Sequence, residues 1–324
     1  MAAHTDIPQT AVVSILANYD LGGYRSSKPI LHGTVQTNLL LHTTQGRFVL
    51  KYYENRSRNK VLFETDLLRY LNDRHFPCPA AFPNTHGDYV GTYKGKPYVI
   101  FEFVEGRHLK HPSATQKRAL IRKVAELHNL TRAYRSRYAK YSHCYGIDTC
   151  RTLARGKAKA IGTLNAKNKL KWYEGELSKL SLPKSLPKGV CHCDFHFSNV
   201  LFTNGKFNAL IDFDDANYTF LTFDLAALID PVVWSFDHNT WPDFKTGEPI
   251  LDFREARKII SEYMKHRPLR VVEQKHLFDV LKLSILFDCI WRFARGDAEG
   301  FFERRKIESL NALGRSEFRN RVFA

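Results

Sequence analysis

The 324 residues are 44% hydrophobic and 25% charged, the balance of a soluble globular enzyme with length enough for a full core or two packed subdomains. No apolar run approaches the roughly 18 residues of a membrane helix, and "MAAHTDIPQT" lacks the basic-then-apolar pattern of a signal peptide. Six cysteines form no regular framework, which predicts reduced thiols and a cytoplasmic, membrane-free protein.

The net charge of +16 concentrates between Arg132 and Lys179, where few acids answer the lysines and arginines. Such a run usually points at water. A positive field also suits an enzyme of anionic substrates such as ATP, and nucleic-acid binding is the competing reading.

In chain order, "PQTAVVSILANYDLGG" predicts a helix from Pro8 that stops at Gly22–Gly23. "TNLLLHT" and "RFVLKYY", joined at Gln45–Gly46, predict a β-hairpin. In "SRNKVLFETDLLRYLNDR", Phe63, Leu67 and Leu71 recur at helical spacing and predict an amphipathic helix. The prolines of "FPCPAAFPN" enforce extended chain, leading to a second hairpin with "DYVGTY" and "KPYVIFEFV" as arms. Past Gly106 the character changes. "SATQKRALIRKVAELHNL" opens with Ser113 and Gln116 at capping-box spacing, and the basic segment is helical in composition. "GVCHCDFHFSNVLFTNGKFNALIDFDD" returns to strands around an Asn204–Gly205 turn. The remainder predicts helices in "FREARKIISEYMKH" and "VEQKHLFDVLKLSILFDCIWRFARG", and a last one ending at Gly314. The predicted class is α+β in two lobes: a small β-rich lobe with one main helix over residues 1–105, and a larger, mainly α-helical lobe over 106–324.

The chemistry concentrates in "HCDFHFSN" and the "LIDFDD" that follows. Asp194 and Asn199 lie five residues apart, and Asp212 follows thirteen later across the hairpin turn. A carboxylate, an amide and a second carboxylate at one hairpin edge suit Mg²⁺–nucleotide chemistry, because Mg²⁺ takes oxygen ligands and keeps room for phosphates and water. A carboxylate left off the metal can orient and deprotonate a hydroxyl. Phosphoryl transfer asks for little beyond such positioning and charge neutralisation.

These residues resemble the catalytic-loop and metal-binding signature of the protein-kinase-like fold, in its aminoglycoside phosphotransferase and choline kinase branch. Within that branch the sequence is most similar to the homoserine kinase group, from "ANYDLGGY" through "GKPYVIFEFVEGRHLKHPS" to "CIWRFARG", thinning between about 135 and 185. The resemblance implies that Asp194 is the base receiving the acceptor hydroxyl's proton and that Asn199 and Asp212 ligate Mg²⁺. It implies that His192 shapes the loop and that His196 lies near the phosphates or the acceptor. Residues 1–105 become the nucleotide-binding lobe, where Lys51 holds the ATP phosphates and Glu64, thirteen residues on, holds Lys51. Val49, on the same strand face, lines the adenine pocket, and backbone groups of Glu102 and Val104 contact adenine. The phosphate-covering loop, "LHGTVQTN", has the single glycine Gly33, with Thr34, Thr37 or Asn38 adding side-chain contacts. Asp224 resembles the aspartate that braces the catalytic loop. Asp214 and Asp215, with Arg292 or Arg295 as carboxylate-binding partners, are the acceptor-side candidates.

The implied function is transfer of the γ-phosphoryl of ATP to a hydroxyl of a small molecule, homoserine first. Lysine on the third strand and the acids after "IDF" look more like the wider phosphotransferase branch, which leaves aminoglycosides and choline or ethanolamine as alternative acceptors. The basic net charge argues against polycationic aminoglycosides, and choline would want an aromatic cage. A protein kinase is disfavoured: the stretch from Asp212 to Asp224 is too short for an activation loop, and no lysine follows Asp194 by two residues. A zinc knot of Cys191, His192, Cys193 and His196 lacks paired Cys-x-x-Cys spacing. Turn-forming by Asp194, Asn199 and Asp212 is the bland alternative. A non-catalytic, nucleic-acid-binding scaffold is the second functional class. Oligomeric state leaves no mark in the sequence.

Overall fold

A short helix and an antiparallel sheet begin the chain in the computed structural model, which describes residues 5–30, 35–141, 144–234, 251–293 and 303–323. Helix α1 (Gln9–Leu16) follows Pro8 and buries Val12, Ile15 and Leu16. It stops six residues before Gly22, earlier than the glycine pair predicted. Asn18 explains the difference: its side-chain amide donates to the Ser14 carbonyl (2.9 Å) and occupies a carbonyl that the next turn would have used.

Strand β1 (Tyr24–Pro29) is a polar edge without apolar alternation, so the sequence carried no signal for it. β2 (Thr37–Thr43) and β3 (Arg47–Tyr52) form the predicted hairpin, with Asn38 opposite Lys51. Helix α2 (Arg58–Asn72) starts at Ser57, whose hydroxyl accepts from the Lys60 amide, and buries Val61, Phe63, Leu67, Leu68 and Leu71. β4 (Ala81–Phe82), β5 (Gly91–Tyr93) and β6 (Lys96–Glu102) complete an all-antiparallel sheet of order β1-β2-β3-β6-β4, with β5 also on β6. Alternation decides its two faces. Leu39, Leu41, Leu50, Tyr52 and Ile100 pack on one side with α1, which leaves Val49 and Lys51 for the other.

The chain then builds α3 (Ala114–Thr131), α4 (Ile147–Ile161), α5 (Leu164–Ser178) and β7 (Lys188–Cys191). The capping box at α3 is present as predicted, Ser113 and Gln116 each bonding the other's backbone amide. β8 (Val200–Thr203) and β9 (Lys206–Leu210) pair around Asn204 and Gly205, both with positive φ (50° and 75°), the geometry of a tight hairpin turn. β10 (Asn217–Phe220) pairs with β7. Then come α6 (Phe223–Ile229), α7 (Arg254–His266), α8 (Val271–Arg292), α9 (Glu303–Leu313) and α10 (Arg315–Phe323). Gly314 ends α9 in the left-handed region (φ 78°), as predicted, but a further helix restarts at once and buries Phe318 and Val322. Two buried apolar residues among four charged ones hid that helix in the sequence.

Two units divide these elements, and they interleave along the chain. The first holds Met1–His111, Arg135–Ser142 and Phe197–Asp215; the second holds Pro112–Tyr134, His143–His196 and Ala216–Ala324. The β8–β9 hairpin joins the first through an Arg107–Phe202 bridge and a Leu210 amide bond to the Pro77 carbonyl (2.9 Å). In the second, α3 packs on α7 and β7, and α6 packs on α8. Gly189 permits the close approach of β7 to the end of α3: a Cβ there would sit 3.1 Å from Arg132 Cα. Most of the basic run faces solvent, Lys169 being buried. No described helix is long and apolar enough to cross a membrane.

Candidate active site

In the first unit, β3 aims Lys51 away from the apolar face. Its ammonium is buried, 2.6 Å from Asp212 Oδ1, 3.6 Å from Glu64 Oε1 and 4.0 Å from Asp214 Oδ1. Burial alone would lower the Lys51 pKa, but Asp212, Asp214 and Glu64 outweigh it and raise it. Glu64, on the buried face of α2, accepts from the Tyr53 hydroxyl (2.9 Å). Burial pushes its carboxyl up to about 7, against the opposing pull of Lys51. Asp214 is held by Gln36 Nε2 (2.8 Å) and Arg56 (3.4 Å), and Arg56 also reaches Asp215 (2.7 Å). Burial would raise the Asp214 pKa, yet Lys51 and Arg56 hold it below the usual carboxylate range.

Asn199 and Asp212 close the base of the β8–β9 hairpin. The Asn199 carbonyl accepts from the Ile211 amide (2.9 Å), so the buried Asn199 sits across from the residue preceding Asp212. Asp212 takes a left-handed backbone (φ 67°), tolerable for an aspartate and characteristic of strained functional turns. The donor set fits a hard divalent cation. An amide and carboxylates offer oxygen only. Two cations, Lys51 and Arg56, face four carboxylates, Glu64, Asp212, Asp214 and Asp215, so the cluster carries surplus negative charge. Asp212 keeps 43% of its side chain exposed, where an ion could reach it.

Asn38 lies opposite Lys51 on β2, and Val49 shares the Lys51 face of β3. Glu102 ends β6, its amide donating to the Ala80 carbonyl (2.8 Å), and Val104 follows, half-buried. Gly33, Arg295 and the Arg292 side chain lie outside the described residues. Gln36 and Arg56 carried no sequence signal because each is a polar residue beside a turn, with its acidic partners far along the chain.

The second unit holds the loop after β7. Asp194 Oδ1 lies 3.2 Å from His196 Nε2, and the Asp194 amide donates to Nδ1 of the buried His192 (3.3 Å). His192 therefore shapes the loop through a hydrogen bond, and His196 meets the Asp194 carboxylate itself. Cys193 adopts φ 66°, costly for a non-glycine residue. Asp224, fully buried at the start of α6, offsets that cost by accepting from the amides of His192 and Cys193, both at 2.8 Å. His128 Nε2 adds a third bond (2.9 Å). Burial would raise the Asp224 pKa, but the bond from His128 leads the effects that lower it. His128 stood readable in "AELHNL" as a lone histidine on a buried helix face, a signal the sequence reading passed over.

Among the described residues, His128, Cys191 and Asp224 come together as a potential metal-ligand group. Their atoms are already engaged: His128 on Asp224, and the Cys191 thiol donating to the Phe220 carbonyl (3.3 Å). Cys191 is buried packing.

The phosphotransferase enzyme family matches residues 26–269. A homoserine kinase of Sinorhizobium medicae (strain WSM419) is 30% identical over 273 residues, covering 83% of this chain and 82% of that one. A homoserine kinase of Methylobacterium sp. (strain 4-46) is 32% identical over 314 residues, covering 96% and 89%. Among solved structures, amicoumacin kinase hAmiN in complex with AMP-PNP, Ca²⁺ and Ami superposes with a TM-score of 0.64 at 16% identity, covering 97% of this chain and 94% of that one. The small antiparallel sheet and the helical second unit are thus those of the protein-kinase-like phosphotransferase fold.

Proposed function

Since this chain belongs to the phosphotransferase enzyme family and is an enzyme of phosphoryl transfer to hydroxyl groups, we propose that it moves the γ-phosphoryl of Mg²⁺–ATP to the hydroxyl of homoserine. The observation that carries this reading is the buried Lys51 ammonium, 2.6 Å from Asp212 and 3.6 Å from Glu64. A lysine so deeply buried among acids is an anion-binding group held in readiness. Homoserine as acceptor is supported by the homoserine kinases this chain is similar to. ATP with a divalent ion is supported by the AMP-PNP and Ca²⁺ of the amicoumacin kinase structure. The six free thiols suit the cytoplasm.

In this reading Lys51 binds the nucleotide phosphates and Glu64 fixes its position. Gly33 and Asn38 cover the phosphates, Val49 lines the adenine pocket, and the backbone at Glu102 and Val104 contacts the base. Asn199 and Asp212 hold Mg²⁺, which when bound neutralises phosphate charge. Asp214 and Asp215, both bound by Arg56, serve the acceptor side. Asp194, oriented by His196, takes the proton of the acceptor hydroxyl as its oxygen bonds to the γ-phosphorus and ADP leaves. Arg292 or Arg295 receives the acceptor carboxylate.

An ADP-release assay with Mg²⁺–ATP tests this against L-homoserine, L-threonine, choline, ethanolamine and kanamycin, with Asp194→Ala as blank. Turnover on homoserine alone is expected. Turnover on another member refutes the acceptor and keeps the reaction, and silence with all of them refutes the reading.

A further inference from the structure

The brace on the Asp194 loop does not end at His128. His128 Nδ1 lies 2.6 Å from the Tyr263 hydroxyl on α7. Arg267 Nη1 is 3.2 Å from that hydroxyl, and its Nη2 is 2.6 Å from Glu273 Oε1. Glu273 is fixed in turn by the Arg270 amide (3.0 Å). Asp224, His128, Tyr263, Arg267 and Glu273 are all buried.

The two ends of this chain leave one proton arrangement for its middle. Ionised Asp224 can only accept, so His128 carries its hydrogen on Nε2 and offers a lone pair at Nδ1. That lone pair takes the Tyr263 hydroxyl hydrogen, and the phenolic oxygen accepts from Arg267, which can only donate. Every donor therefore points towards the carboxylate that also binds the His192 and Cys193 amides. Burial lowers the His128 pKa against the pull of Asp224, which favours the neutral imidazole that this donor arrangement requires. A buried arginine–glutamate pair gives little net stability over an apolar replacement. Its place at the end of a one-way donor chain points to a directional role.

We propose that Tyr263 and Arg267 are positioning residues for the transfer step: they hold His128 in its Nε2–H tautomer, and thereby Asp224 and the backbone that presents Asp194. This rests on the reading of Asp194 as the base.

Tyr263→Phe keeps the ring and removes only the hydroxyl. Its kcat should fall about tenfold, the scale of one lost buried hydrogen bond, with KM for ATP unchanged. Amide hydrogen exchange should quicken over His192 to Asp194 and stay unchanged elsewhere in the second unit. Arg267→Lys, still a donor, should recover most of the kcat that Arg267→Met loses. Tyr263→Phe with wild-type kcat and wild-type exchange at the loop would overturn the proposal, and so would exchange quickened evenly across the unit. If the wild-type protein transfers phosphate to no acceptor, the kinase reading fails by itself, and the exchange pattern still decides the positioning role.

Discussion

The two units solve opposite electrostatic problems with the same backbone device. Each places a non-glycine residue in the left-handed region at its key turn, Asp212 (φ 67°) in the first and Cys193 (φ 66°) in the second. Around Asp212 the carboxylates outnumber the cations and one of them stays open to solvent. Around Cys193 a single carboxylate is enclosed by amide and imidazole donors, with nothing left exposed. A cluster with charge in excess and an open acid can recruit an ion. A closed one, its charge spent on backbone N–H groups, can only fix a loop. The difference matches the proposed division of labour, binding in the first unit and presentation of a reacting group in the second.

The largest expected effect comes from separating those two roles. Asp194→Ala should lower kcat by about 10²–10⁴, the usual contribution of a general base, while nucleotide affinity measured by calorimetry stays near wild type. Lys51→Ala should do the reverse in kind, losing nucleotide affinity. Equal losses of affinity in both variants would refute the division of labour.

The two clusters should also respond to pH in opposite senses. Glu64 has its carboxyl raised to about 7 from an ordinary 4.5, so the folded chain binds the proton more tightly than the unfolded one. Its contribution to stability is present below pH 4.5 and is lost as pH rises through 7, on the order of 3 kcal/mol by linkage. His128 is depressed below its ordinary 6.5, so the unfolded chain binds that proton more readily. Its contribution is present above pH 6.5 and is lost as pH falls below it. Urea denaturation between pH 4.5 and 8 should therefore show Glu64→Gln and His128→Asn changing the slope of stability against pH in opposite directions. Slopes altered in the same direction would mean that one of the two environments is misread.

Much of this was legible in the sequence, for a physical reason. Lys51, Glu64, Asp194, Asn199 and Asp212 sit on short elements whose hydrophobic period or turn chemistry is strong: an alternating strand, an amphipathic helix, an Asn–Gly hairpin. What stayed hidden is what depends on partners distant along the chain. Arg56 meets Asp214 and Asp215 some 158 and 159 residues on, and nothing local in "ENRSRN" distinguishes that arginine from a solvated one. His128 meets Asp224 across 96 residues. The polar edge strand β1 and helix α10 were missed because their stability comes from neighbours, not from an apolar period of their own.

The smallest expected effect tests whether the hairpin bearing Asn199 and Asp212 couples its two ends. Gly205 at the tip has φ 75°, so Gly205→Ala forces a side chain into the left-handed region at a cost of about 1 kcal/mol. The base is fixed independently, by the Ile211–Asn199 bond, the Leu210–Pro77 bond and the Arg107–Phe202 bridge. Strain at the tip should therefore lower the thermal midpoint by a few degrees and leave kcat and the Mg²⁺ dependence of the reaction unchanged. A tenfold loss of activity at preserved stability would show that the tip turn sets the metal-binding geometry, and that the first unit, like the second, positions its reacting groups from a distance.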